Sequence, residues 1–278
     1  MTIYSYVAKR FEDGGRTGVP RFDSMLRDVF PGMLSVTSLP EFQPDDLVIT
    51  DNHLSLDVPD EVRTVVVHHG SAKAHFERDE AWRNSYTAEM VIKQREMYAR
   101  PNRSFVAPSM WVAEEFGARL CDVIPHWAEE IPRLPRASAR YVIIGDWRDN
   151  NKGAGIWRKL AERCPQWQFS PLDFRTDEGR RQQYGTADLY LCLSLSEGGS
   201  YSMCDAEAAQ LPIVTTDVGN YMEFDDCEVI RWQDRDNLDL VAAAIDRKLH
   251  QGRRKPSFYK AYTFPLWQCL WRETVGRL

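Results

Sequence analysis

The sequence predicts an α/β protein built from two doubly wound domains, and three observations carry that expectation. The C-terminal half alternates short apolar strands with segments of helical spacing. The N-terminal half repeats the same alternation in a more compact form. Between them the stretch IPRLPRAS has linker composition. Strands that are continuously apolar indicate parallel sheets covered on both faces, with ligands bound beyond the carboxyl ends of the strands. The expected division is residues 1–130, residues 131–255 and a terminal segment 256–278.

In the first half, Ile3 to Val7 reads as a strand and is followed by a glycine-rich turn, Asp13 to Gly18. Arg21 to Val29 has helical spacing, and the β-branched runs Asp46 to Thr50 and Arg63 to Val67 read as strands. Asp79 to Met97 is expected as one long helix. Arg103 to Ala107 follows as a strand, Met110 to Phe116 as a helix and Asp122 to Ile124 as a strand. In the second half the expected strands are Arg140 to Ile144, Trp167 to Ser170, Ala187 to Leu193, Pro212 to Thr216 and Glu228 to Trp232. The expected helices are Ala154 to Cys164, Asp177 to Tyr184, Met203 to Gln210 and Leu238 to His250. The last of these places Leu240, Val241, Ala244, Ile245 and Leu249 on one face.

Composition narrows the function classes. The 278 residues are 43% hydrophobic and 27% charged, with a net charge of −6. Residues 1–135 hold 15 basic against 21 acidic side chains, so the acidity lies in the first half and argues against a general nucleic-acid binder. No apolar run reaches the length of a membrane span, and the N-terminus lacks a signal-peptide pattern. Six scattered cysteines include no Cys-x-x-Cys pair, which points to buried thiols in a reducing, cytoplasmic compartment (the host's, for a viral protein).

The most informative stretch is SLSEGGSYSMCDAEAAQLPIVTTD, residues 194–217. An acid followed by small residues at a strand-to-helix turn forms an anion cradle. Glycines admit backbone N–H groups to a phosphate, and the helix N-terminus adds partial positive charge. In this reading Gly198, Gly199, Ser200 and Tyr201 hold a phosphate, Glu197 bonds sugar hydroxyls and Asp205 reaches ribose hydroxyls. A plain turn is the alternative, with Ser202 and Asp205 spaced as a capping box. A second cluster, GDWRDNNKG at 145–153, follows a buried strand. Its Arg148 and Lys152 are candidates to stabilise a departing diphosphate, against the alternative of a solvated loop. Third, His68 and His69 end a buried strand before Gly70; His69 is the choice for a sugar contact, and a structural histidine is the alternative. Fourth, Gly14 and Gly15 with Arg16 are candidates to approach the diphosphate from the first domain. The segment His75 to Arg103 mixes basic and aromatic residues with five acids and reads best as a solvated amphipathic helix.

These residues resemble the retaining glycosyltransferases of the B-type (GT-B) fold, in the family 4-like group, glycosyltransferase group 1. That group carries two acids eight residues apart, then a helix and a Pro-Val-Val-type strand; here Glu197 and Asp205 stand in register with PIVTTDVG at 212–219. The sequence departs from the pattern at Asp205, where Glu is usual, and at Gln210, where Gly is common. Gly145 with Lys152-Gly153 resembles the group's Gly-Arg…Lys-Gly loop, one residue longer and with Arg148 displaced. His69-Gly70, Gly14-Gly15 and VIPH at 123–126 match first-domain elements, and Tyr262 to Trp267 resembles the segment where the last helix crosses back to the first domain. The resemblance implies two Rossmann-like domains facing across a cleft, and a nucleoside-diphosphate sugar as co-substrate. It further implies transfer of the sugar to an acceptor hydroxyl with retention of configuration and without a metal or other cofactor. His69, Glu197, Lys152 and Arg148 are then the catalytic set, with neither Glu197 nor His69 a covalent nucleophile and with the leaving phosphate accepting the acceptor's proton. The acceptor is open between a carbohydrate, a lipid-linked glycan and a hydroxymethylated base of viral DNA. Two further alternatives are a sugar-nucleotide epimerase or hydrolase, and a non-catalytic sugar-nucleotide binding module.

Overall fold

A computed structural model describes residues 1–6, 18–117, 121–135, 139–173, 176–252 and 261–278. The chain divides into two compact units, residues 1–126 with 264–278, and residues 127–263. Each is an all-parallel sheet with helices.

The first unit contains β1 (Ile3–Tyr6), α1 (Gly18–Val29), β2 (Leu34–Val36), β3 (Leu47–Asp51), β4 (Arg63–Val67), α2 (Ala72–Arg78), α3 (Ser85–Glu96), β5 (Arg103–Ala107), α4 (Met110–Phe116) and β6 (Cys121–Val123). The sheet order is β2-β1-β3-β4-β5-β6. The expected helix over 79–97 is broken. Asp79 caps a short 3-10 turn at Glu80–Trp82, and Asn84 then accepts from the Thr87 amide to start α3. Side-chain capping interrupted a pattern that helical spacing alone read as continuous. Strand β2 and helix α2 were not anticipated; β2 is three residues long and exposed or half-buried, so it carries little apolar signal.

Helix α9 (Phe264–Gly276) completes this unit. It buries Trp267 and Trp271 almost fully, and the Trp271 ring lies 5.3 Å from that of Phe22 on α1. Gln268 donates to the Asp28 carbonyl at 3.2 Å, and Thr274 and Arg277 both donate to the Asp122 carboxylate.

The second unit contains β7 (Tyr141–Gly145), α5 (Ala154–Arg163), β8 (Trp167–Pro171), α6 (Asp177–Thr186), β9 (Leu189–Cys192), α7 (Tyr201–Ala208), β10 (Ile213–Thr216), β11 (Cys227–Ile230) and α8 (Leu238–Gln251). Its order is β11-β10-β9-β7-β8, so the direction of winding reverses between β7 and β9. Two apolar layers cover this sheet. Tyr184, Tyr190, Met203 and Ile213 belong to one; Ile143, Leu160, Leu191, Val241 and Ile245 belong to the other. The loops leaving β7 and β9 at that reversal are the two that carry the charged motifs. In open parallel sheets the chain parts at such a point and leaves room for a ligand.

Candidate active site

The loop after β7 is built to bring charge to the reversal point. Gly145 has no room for a side chain: a Cβ there would lie 2.3 Å from the Leu191 carbonyl oxygen. Trp147 is buried and donates its indole N–H to that same carbonyl at 3.1 Å. Gly153 closes the loop at φ +84°, where a Cβ would come within 2.7 Å of Leu193. Helix α5 begins directly after it.

Asn151 then stitches this loop to the one after β9. Its side-chain amide donates to the Ser196 carbonyl at 3.2 Å and accepts from the Ser196 amide at 3.1 Å. Arg235, buried, donates to the carbonyls of Leu193 at 2.8 Å, Asn151 at 3.0 Å and Asn150 at 3.1 Å. Three carbonyls from two loops thus share one guanidinium, a rigid fork suited to that task. Arg235 is the middle of Asp234-Arg235-Asp236, an Asp-x-Asp triplet. Both acids are exposed and the arginine is buried. Nothing local in the sequence announces Arg235, because its partners lie more than 40 positions away.

Within this frame Lys152 and Glu197 meet. The Lys152 ammonium donates to Glu197 Oε1, which also accepts from Ser194 Oγ at 2.7 Å. Thr216 fixes Ser194 by donating to its carbonyl at 2.6 Å. Burial works to lower the Lys152 pKa, but the Glu197 and Asp146 carboxylates outweigh it and hold the ammonium above its ordinary value. Lys152 is therefore a fixed cation at neutral pH. Gly219, at φ +65°, packs against Glu197; a Cβ there would stand 2.8 Å from Glu197 Cβ. Arg148 folds back on its own loop, with Nε and Nη2 on the two Asp146 oxygens at 2.7 and 2.9 Å.

The helix that follows Glu197 starts at Tyr201, with Ser200 as its cap accepting from the Met203 amide at 3.3 Å. The capping-box reading of Ser202 and Asp205 therefore does not describe this helix. Asp205 is buried and paired with Arg180 from α6. The Ser200 amide donates to Asn220 Oδ1 at 2.6 Å, so this member of the expected N–H cradle is engaged by a side chain. Gly198, Gly199 and Tyr201 lie around the same turn, at the helix end where partial positive charge gathers.

In the first unit, His68 and His69 leave β4 in opposite roles. His68 is fully buried, its ring stacked 4.2 Å from Phe116 and 5.6 Å from Phe105. Gln94 donates to Asn52 Oδ1 at 3.1 Å, so that oxygen is an acceptor, and His68 Nδ1 lies 3.4 Å from it. Nδ1 then carries the proton, and Nε2 accepts from the Tyr98 hydroxyl at 2.7 Å. Burial first, and His69 second, lower the His68 pKa to about 3. His69 is half-buried, edge-on to Phe22 at 4.9 Å and stacked near His126 at 5.8 Å. The candidates Gly14 and Gly15, with Arg16, lie outside the described residues.

The class that this fold and site define is a two-unit α/β protein whose second unit presents an acid, a lysine and a helix N-terminus at the turning point of its sheet. The glycosyl transferases group 1 family pattern matches residues 109–251, and the chain belongs to that family and is a glycosyltransferase. Its fold is the GT-B fold. The structure is similar to HepE of Anabaena, solved with UDP and glucose, at a TM-score of 0.71 and 13% identity over 100% of both chains. It is also similar to sucrose-phosphate synthase of Thermosynechococcus elongatus, at 0.68 and 12% identity over 100% of this chain and 95% of that one. A trehalose-phosphate synthase of Burkholderia vietnamiensis gives 0.57 and 11% identity over 85% and 74%. Comparison with curated protein sequences finds no match.

Proposed function

We propose that this glycosyltransferase takes its sugar from a nucleoside-diphosphate sugar and passes it to an acceptor hydroxyl, with retention of configuration and without a divalent metal. The observation that carries the reading is the meeting of Lys152 and Glu197 at the β7/β9 reversal, beside the N-terminus of α7. A diphosphate at that helix end meets partial positive charge, and Lys152 and Arg148 offset the charge that grows on it as the sugar bond breaks. Glu197, already an acceptor for Ser194 and Lys152, has the chemistry to accept from sugar hydroxyls as well. The complexes of HepE with UDP and glucose, and with UDP-glucose, support a donor of this kind. His69 is the proposed sugar contact from the first unit, with Gly14 and Gly15 as the proposed diphosphate loop. The acceptor class stays with the carbohydrate, lipid-linked glycan or modified-base alternatives, and the proposed compartment is cytoplasmic. Among the described residues no helix is long and apolar enough to cross a membrane.

The test is incubation with UDP-, GDP- and ADP-sugars and an acceptor panel, with and without EDTA, following nucleoside diphosphate release and the anomeric signal of the product by NMR. The expected result is release of one nucleoside diphosphate, a product of the donor's own anomeric configuration, and no effect of EDTA. An inverted product overturns retention, and loss of activity in EDTA overturns metal independence.

A further inference from the structure

We propose that Asp146 is an internal counter-anion of the donor site, with which an incoming diphosphate must compete for Arg148 and Lys152. The inference rests on the donor reading above and assigns a residue which that reading does not use.

Asp146 follows Gly145 at the end of β7 and is 8% exposed. Its carboxylate takes a two-pronged contact from Arg148, and its Oδ2 lies 4.0 Å from Lys152 Nζ. The two partners differ in freedom. The Arg148 side chain is 56% exposed, whereas that of Asp146 is 7% exposed. Asp146 also stands on a backbone that cannot retreat, since Gly145 is pressed against Leu191 and Trp147 is bonded to the same strand. The acid is the fixed member and the arginine the movable one.

The charge count gives this arrangement its consequence. Asp146 and Glu197 between them balance the charges of Arg148 and Lys152, and Asp149 on the same loop adds a further acid acting on Arg148. A diphosphate that takes Arg148 or Lys152 leaves Asp146 with less compensation and close to a second anion. Like charges so placed oppose each other. Asp146 therefore weakens the hold on the bound diphosphate, and more so for the departing product, which carries the greater negative charge. Stronger opposition to the product than to the donor favours release of the nucleoside diphosphate once the sugar has left.

Isothermal titration with UDP, GDP and ADP separates the possibilities, using whichever nucleotide the wild type binds best. Asp146→Asn keeps the shape and removes the charge, and it is expected to bind that nucleotide about tenfold tighter, with the gap narrowing as salt is raised. Arg148→Ala is expected to lose more affinity in the Asp146→Asn background than in the wild type, because Arg148 is no longer shared. Asp146→Ser, neutral and smaller, is the second variant if Asp146→Asn does not fold, and it too is expected to bind tighter. Equal or weaker binding by a folded neutral variant overturns the proposal. Failure of the wild type to bind any of the three nucleotides is a different result: it removes the donor reading itself, and this inference with it.

Discussion

The loop after β4 and the loops after β7 and β9 occupy equivalent places, at the carboxyl ends of parallel strands, yet they treat charge in opposite ways. In the first unit a histidine is kept neutral. His68 lies between phenylalanine rings, tied to Tyr98 and Asn52, and its pKa falls to about 3. In the second unit four ionised side chains are interlocked, and a lysine is held charged by its carboxylate neighbours. Burial penalises charge in both places. The outcome turns on whether partners of opposite sign are within reach. The loop after β4 offers His68 aromatic rings and neutral polar groups, whereas the loops after β7 and β9 bring acids to each base. The second arrangement is the one that the proposed sugar transfer, in which negative charge develops on a diphosphate, would use.

The largest effect that sharpens this contrast is expected at the charged side. Lys152→Ala and Glu197→Ala should each cut turnover by about a hundredfold or more, the size typical for removing one electrostatic stabiliser of a transition state. Each change also takes the nearest opposite charge from a buried partner, so melting is measured in parallel. Wild-type turnover in both variants would falsify the assignment of the site to unit two.

Next comes the brace that holds the two loops together. Arg235→Ala strips the donor from three backbone carbonyls and should lower stability by about 2–4 kcal/mol. Arg235→Lys, which retains charge but not the fork, should fold and recover only part of the turnover. Full recovery by lysine would show that charge alone matters there and that loop geometry does not.

The smallest effect, read over a single pH unit, tests the neutral side. A histidine whose pKa is lowered in the folded state adds stability that is present above its unfolded value, near 6.5, and that is lost as pH falls towards the folded value of about 3. His126, buried nearby and also lowered, acts in the same direction. Unfolding free energy, followed by denaturant titration, should therefore fall as pH drops below 6.5, by about 1.4 kcal/mol per pH unit for His68 alone. His68→Gln, which keeps an amide in the network, should flatten that slope. A slope unchanged by the substitution would mean that His68 is not the group responsible.

Much of the fold was legible because strand and helix periods survive in short windows. Arg63 to Val67, Arg103 to Ala107 and Met110 to Phe116 appear with the bounds that their apolar runs suggested. The long helix over 79–97 was misjudged, since periodicity does not register the caps that Asp79 and Asn84 supply. The candidate site was legible in part. The motif around Glu197 stands out by its acid and glycines, whereas Lys152 and Arg148 were singled out only beside it, with Arg148 displaced from the family pattern. Asn220 was overlooked, because its contact with the Ser200 amide spans 20 positions.

The amino-acid sequence on its own determined the two-unit α/β architecture, the strand-end positions of the acidic and basic motifs, and the choice between a histidine facing the core and one beside it as an open pair. These follow from local periodicity and from residue type. Only the tertiary structure decided that His68 is the core histidine, that Glu197 pairs with Lys152, that Asp146 captures Arg148, and that Arg235 clamps both loops. Hydrogen bonds and ion pairs are short-ranged in space but indifferent to distance along the chain. They therefore leave no trace in sequence order until the sheet brings their partners together.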